Sequence, residues 1–266
     1  MHLTFCPLYS GSSGNTIFVG AGNTRILIDA GLSGRTVSEA LNAIGILPET
    51  LDAILITHEH SDHIKGAGIL SRKYHVPIYA NSGTWAAMEK QVGAIAPQLH
   101  RTFETGESFY IKDLSILPYS VSHDAAEPVG YRVDYGGHSV ATATDIGIFT
   151  KKTLETLSGV EILLLESNHD IGMLRANEHY SSALKTRILG RHGHLSNEAC
   201  GEALWQLYQQ GTHHVILGHL SHENNTPELA MRSVTEAMQA HGLTVGRDIR
   251  IDLAWRDRIG DVYEII

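Results

Sequence analysis

The sequence predicts a layered α/β protein, and three observations predict it. Short β-branched apolar runs alternate with stretches of helical periodicity along most of the chain. The 266 residues suffice for one large domain of that class. Residues with metal-ligand chemistry fall repeatedly just beyond the apolar runs, and layered sheets gather strand ends on one edge.

In chain order, residues 1–31 read as two or three strands with tight turns. Ser10-Gly11-Ser12-Ser13-Gly14-Asn15 is a turn-rich loop, residues 16–19 a strand, 20–23 a turn and 25–28 a further strand. Residues 36–45 read as a helix with Val37, Ala40, Leu41 and Ile44 on one face and Gly45 at its end. Pro48 breaks the chain before a buried strand over 53–57. A helix over 64–74, despite Gly66 and Gly68, a strand over 76–79 and a helix over 84–92 follow. Strands dominate 109–143, the first holding Ile111, Leu114, Ile116 and Leu117, and Gly136-Gly137-His138 reads as a hairpin turn, making His138 a turn residue.

The second half repeats the rhythm. A strand ends in Thr144-Asp145, a helix covers 151–157, a strand over 161–165 ends in Glu166, and a helix covers 180–189. A helix capped by Ser196 runs to Gln210, residues 215–217 form a strand before Gly218-His219, and Thr226-Pro227 opens a helix reaching His241. Residues 248–265 read as a closing pair of strands.

Composition narrows the class. With 42% hydrophobic and 18% charged residues the chain is globular, not disordered. A net charge of −9 argues against broad phosphate neutralisation but leaves room for a local basic track. Two cysteines, Cys6 and Cys200, exclude a disulfide framework and point to free thiols in a reducing cytoplasm. No targeting segment is visible and no apolar run is long enough to cross a bilayer, so a soluble cytoplasmic protein is expected.

The chemistry concentrates in Thr57-His58-Glu59-His60-Ser61-Asp62-His63, directly after the apolar Ile54-Leu55-Ile56. Imidazole nitrogen and carboxylate oxygen are the donors of Zn, Mn, Fe or Ni. His58, His60, Asp62 and His63 suit one metal ion or two. A single histidine at a strand end is ordinarily structural; four potential ligands in a loop this short are rarely accidental. Three distant strand ends add His123, Asp145 and His219, giving five histidines and two aspartates in all. His58, His60 and His123 would make one three-nitrogen site with an open position, and Asp62, His63 and His219 a second. Asp145 is suited to bridge the two cations. Two such ions roughly 3.5–4 Å apart acidify a shared water. Asp29, also at a strand end, is either a turn cap or an acceptor that fixes a histidine of the loop.

His58-x-His60-x-Asp62-His63, followed by His123, Asp145 and His219, resembles the metallo-β-lactamase superfamily of metallohydrolases over essentially the whole chain. The resemblance implies a four-layer αββα sandwich with a binuclear site on one edge of the two sheets. Asp29 falls where the superfamily places an aspartate supporting the histidine loop. His60 stands where flavodiiron oxidoreductases have glutamate, which favours hydrolysis. Glu166 and His194 resemble the additional pair of the nucleic-acid-processing members, in which the histidine protonates the leaving oxygen and the carboxylate orients it. Residues 171–193, between Asp170 and His194, are too few for a β-CASP insertion, so a single domain over 1–266 is expected.

Ser10-Gly11-Ser12-Ser13-Gly14-Asn15, Glu166-Ser167-Asn168-His169-Asp170, Gly193-His194-Leu195-Ser196-Asn197 and Gly218-His219-Leu220-Ser221 resemble the compact WalJ/YycJ branch. That likeness implies a 5′→3′ DNA exonuclease with two divalent ions (Zn, Mn or Fe), in which hydroxide oriented by Asp62 attacks phosphorus. Arg175, Lys185, Arg187 and Arg191 are candidates for contacts to backbone phosphates, or an ordinary solvated helix face. DNA is the expected partner, RNA the other candidate; no membrane and no obligate protein partner are implied. The rival readings are a small-molecule phosphodiesterase or a thioester or lactone hydrolase of the same fold, and a non-catalytic, metal-dependent nucleic-acid-binding protein.

Overall fold

The structure is a computed structural model and describes residues 2–266. The chain forms two compact units, one built from the residues up to Ser120, Ala125–Ser139 and Trp255–Ile266, the other from Val121–Asp124 and Val140–Ala254.

In the first unit β1 (Leu3–Tyr9), β2 (Thr16–Ala21) and β3 (Thr24–Ile28) run antiparallel, as tight turns between them dictate. From β3 onward the ladder turns parallel through β4 (Ala53–Leu55), β5 (Ile78–Ala80) and β6 (His100–Thr102), joined by α1 (Gly34–Ala43), α2 (Ser61–Ile64), α3 (Ala67–Tyr74) and α4 (Ser82–Val92). Leu27, Ile54, Ile56, Leu41, Leu70 and Met88 are buried in one core that ties these helices to the strands. An antiparallel set, β7 (Phe109–Ile111), β8 (Leu114–Ser120) and β9 (Val129–Tyr135), belongs to the same unit.

The second unit is built on β10 (His138–Ala143) from Val140 onward, β11 (Ile162–Glu166), β12 (His214–Gly218) and β13 (Arg250–Leu253), all parallel. Their connections carry α5 (Lys151–Leu157), α6 (Ile171–Ala176), α7 (Ser182–Ile188), α8 (Asn197–Gln209) and α9 (Pro227–Ala240). A Cβ at Gly201 would lie 2.6 Å from Ala237 Cβ, which marks how closely α8 and α9 approach. The near-continuous apolar Ile162-Leu163-Leu164-Leu165 is the signature of a strand buried on both faces. Because the strands are parallel, the residues after β10, β11 and β12 all leave from one edge. Finally β14 (Tyr263–Ile265) pairs antiparallel with β1 in the first unit.

Several expectations are corrected. The helix expected over 64–74 is two helices parted at Gly66, whose N–H donates to Ala30 O at 2.7 Å and where a Cβ would lie 2.4 Å from Leu32 O. Asp62 and His63 therefore sit on a short helix. The strand expected to hold Ile111 through Leu117 is a hairpin, turned at Lys112 with φ 50°. The closing pair is not a pair: β13 joins β12 and β14 joins β1. His138 opens β10 instead of lying in the turn; Gly136 and Gly137 supply the positive φ. The short β6 and α6 have too little periodicity to be legible in the sequence.

Candidate metal centre

In the first unit the chain leaves β4 through Ile56 and enters the histidine loop. Asp29, at the end of the parallel neighbour β3, adopts φ 61°, a conformation that costs a non-glycine residue energy and recurs at functional sites. The strain is held by hydrogen bonds. Asp29 N–H donates to Leu55 O, and its carboxylate accepts from Thr57 N–H and Thr57 Oγ1, each at 2.8 Å. The same carboxylate lies 2.7 Å from His63 Nδ1. That contact places the His63 proton on Nδ1 and leaves Nε2 as the donor atom. Burial pushes the Asp29 carboxyl above the usual range, and the His63 imidazole beside it pulls in the opposite direction. His58 Nε2 faces His60 Nδ1 at 3.1 Å, with the His58 ring almost fully buried. Asp62 Oδ2 lies 3.5 Å from His63 Nε2.

In the second unit Asp145 and His219, after β10 and β12, adopt φ 54° each. Glu166, the last residue of β11 and fully buried, joins their loops. One carboxylate oxygen accepts from His219 Nδ1 at 2.7 Å and from His194 Nδ1 at 2.8 Å; the other accepts the N–H groups of Ile146 at 2.8 Å and Leu195 at 3.2 Å. Burial alone would push this carboxyl up, but the His194 and His219 imidazoles outweigh it and hold it at about 2. Burial disfavours the His194 imidazolium, whereas Glu166 and then Asp145 favour it, so its pKa is raised. His219 Nε2, His123 Nε2 and His194 Nδ1 lie 3.6, 3.6 and 3.8 Å from Asp145 Oδ1. His123 Nδ1 is 3.2 Å from Gly193 O, and burial lowers its pKa, keeping a neutral ring with Nε2 as the donor.

Sequence reasoning quoted Asn15, Ser167, Asn168 and Asn197 within motifs but assigned no bracing role to them, or to Thr57 and Asn225. Thr57 Oγ1 lies 3.0 Å from His58 Nδ1 and 3.1 Å from His63 Nδ1. Asn168 Nδ2 donates to His219 O at 2.8 Å, supporting its left-handed backbone, and Asn225 ties Ser167, Asn168 and Asn197 together. Asn15 Nδ2 lies 3.1 Å from His63 Nε2. Their position beside strand ends, and for Asn15 and Asn168 their place in the quoted motifs, are the signals that point to this role.

The basic candidates lie in the segment from α6 to Arg191. Lys185 Nζ donates to Arg175 O at 2.7 Å, and Arg187 is ion-paired with Asp124, the residue after His123. No residue of α7 is buried, and Arg175, Arg187 and Arg191 are exposed.

In the second unit the donor atoms of Asp145, Glu166, His194 and His219 all lie within 4.8 Å of one another, and the first unit brings His58, His60, Asp62 and His63 onto one loop; such His and Asp clusters fit divalent metal binding. Donor set and fold together define a metal-dependent hydrolase. The chain belongs to the β-lactamase superfamily, whose domain model, "Beta-lactamase superfamily domain", matches residues 24–220. Within it the chain groups with two curated relatives. It is 39% identical over 251 residues to the exodeoxyribonuclease YycJ of Bacillus anthracis, covering 94% of this chain and 95% of that protein. It is 42% identical over 246 residues to the exodeoxyribonuclease WalJ of Streptococcus pneumoniae serotype 2, covering 92% and 91%. Among solved structures, the metallo-β-lactamase fold protein YhfI from Bacillus subtilis matches with a TM-score of 0.73 at 15% identity, each chain covered completely. A diphosphatase from the PhnP family matches with a TM-score of 0.68 at 21% identity, covering 100% of this chain and 98% of that one. The fold is that of the metallo-β-lactamases.

Proposed function

We propose that this hydrolase is a phosphodiesterase acting as a 5′→3′ exonuclease on DNA. The observation that carries the reading is the Glu166–His194 pair: a buried anion holds Nδ1 of an imidazole that is one-fifth exposed, leaving Nε2 to face a substrate. An ester hydrolysed with a good leaving group needs no such proton donor, whereas a departing deoxyribose oxygen does. Exodeoxyribonuclease relatives over more than nine-tenths of both chains support the substrate class.

In this reading His58, His60, His123, Asp62, His63, His219 and Asp145 hold two divalent cations (Zn, Mn or Fe), which when bound supply Lewis acidity and an acidified water. Asp62 orients the attacking oxygen. His194 donates a proton from Nε2 to the leaving oxygen, and Glu166 keeps it charged for that step. Arg175, Lys185, Arg187 and Arg191 neutralise backbone phosphates, Arg187 while exchanging Asp124 for phosphate. We read the chain as one domain, since neither unit is a continuous stretch of sequence. We also read it as cytoplasmic: Cys6 and Cys200 are unpaired and buried, burial pushes both thiols up to about 12, and among the described residues no helix is long and apolar enough to cross a membrane.

The test is turnover of end-labelled, 5′-phosphorylated DNA and RNA with Zn, Mn and Fe in turn. His194→Ala should keep its metal content and lose roughly 10²–10⁴-fold in kcat. Full activity in that variant removes His194 from the mechanism. Hydrolysis of small esters in place of DNA favours the small-molecule reading, and DNA binding without cleavage under every metal favours a binding protein.

A further inference from the structure

The Ser10–Asn15 loop and the segment after Leu253 meet in the first unit. Ser10 N–H donates to Trp255 O at 2.8 Å. A Cβ at Gly11 would lie 3.0–3.3 Å from the Cβ, Cγ and Cδ of Arg256, so a larger residue there would crowd the arginine stem. Gly11 in turn exchanges two hydrogen bonds with the Asn15 side chain, N–H to Oδ1 at 2.9 Å and Nδ2 to Gly11 O at 3.2 Å. Asn15 is buried, its own N–H donates to Asp62 O at 2.8 Å, and its Nδ2 lies 3.4 Å from Asp62 Oδ2 and 3.1 Å from His63 Nε2. The Arg256 stem therefore packs against a loop fastened to two of the proposed metal ligands.

The guanidinium itself has no hydrogen bond or ion pair among the described residues, although the residue is half-buried. Its neighbour Arg258, by contrast, is engaged, stacked 3.6 Å above the Trp255 ring. A half-buried arginine whose stem is packed and whose five donors are unused is an anion site in waiting. Ser12 and Ser13, exposed at the tip of the same loop, add two hydroxyls. Asp257 and Asp261 keep the segment near neutral, so the placement of Arg256 matters here more than any broad positive field.

We propose that Arg256 binds a backbone phosphate of the substrate strand, its stem seated on the Gly11–Asn15 loop that is tied to Asp62 and His63. The inference rests on the phosphodiesterase reading. The experiment is fluorescence anisotropy of a hydrolysis-resistant phosphorothioate oligonucleotide with the metal-loaded chain, across a salt series. Arg256→Gln should weaken binding roughly tenfold and reduce the slope of log K against log salt by about 0.7. Arg256→Lys should restore most of the slope and part of the affinity. Arg35→Gln, at an exposed ion pair on α1, serves as the control and should bind like the unchanged chain. Metal content and unfolding midpoint of each variant are measured alongside, and Arg256→Gln should match the unchanged chain in both. Binding by Arg256→Gln with unchanged affinity and slope overturns the inference and leaves the nuclease reading standing. No binding by the unchanged chain overturns both.

Discussion

His63 and His219 are each gripped through Nδ1 by a carboxylate that solvent barely reaches, Asp29 in one unit and Glu166 in the other. A carboxylate can only accept, so it dictates that the proton sits on Nδ1, which leaves Nε2 unprotonated, as the proposed metal site requires. Asp29→Asn keeps the shape and loses that dictation, because an amide nitrogen turned toward His63 would favour the opposite tautomer. Its expected effect is a 10–100-fold loss of metal affinity, read by competition with a chelating dye, with the fold intact. Glu166 has a second task. It raises the pKa of His194, and a raised pKa keeps the acid form to higher pH, so activity that needs the imidazolium is lost only as pH climbs through that raised value. Glu166→Gln removes the anion, and the alkaline limb of the kcat/KM profile should move to lower pH. An alkaline limb that stays in place would separate His194 from the observed titration.

At the scale of elements, the site is a property of strand ends. Asp29, Asp145 and His219 account for three of the five non-glycine residues with positive φ among the described residues, and each follows a strand of a parallel ladder. A strand that continued straight would carry its next side chain away from the edge; the left-handed residue turns the chain and aims the donor, at a cost of order 1–3 kcal/mol met by the hydrogen bonds around it. Gly31 shows how tight this junction is. Its N–H donates to Asn15 O, and a Cβ there would lie 1.6 Å from Asp62 O and 2.6 Å from Asn15 N. Backbone atoms cannot swing aside as side chains can. Gly31→Ala should therefore cost at least about 2 kcal/mol in urea unfolding and displace Asp62 together with α2, lowering metal affinity as well.

Across the whole molecule, the chain passes between its two units at 120/121, 124/125, 139/140 and 254/255. Neither can be excised as one fragment, and each is completed by segments remote in sequence. Unfolding by urea should accordingly follow a single transition when monitored by tryptophan fluorescence and by far-ultraviolet circular dichroism. Two resolved transitions would instead show units that fold independently.

The sequence by itself determined where donor chemistry lies, because a β-branched run ending in histidine or aspartate states both the strand and its end. His58, His60, Asp62, His63, Asp145 and His219 all lie just beyond the strands expected to carry them, and Ser196 and Thr226 cap the helices expected to start there. Those signals are local, acting over one helical turn or one strand pleat. Only the tertiary structure decided that buried carboxylates take Nδ1 of His63, His194 and His219, that Gly66 splits a helix where Ala30 and Leu32 press against it, that β13 and β14 part company, and that Arg256 rests on Gly11. The physical reason is range: hydrogen bonds and steric contacts act over about 3 Å between residues far apart in the chain, and no periodicity records them.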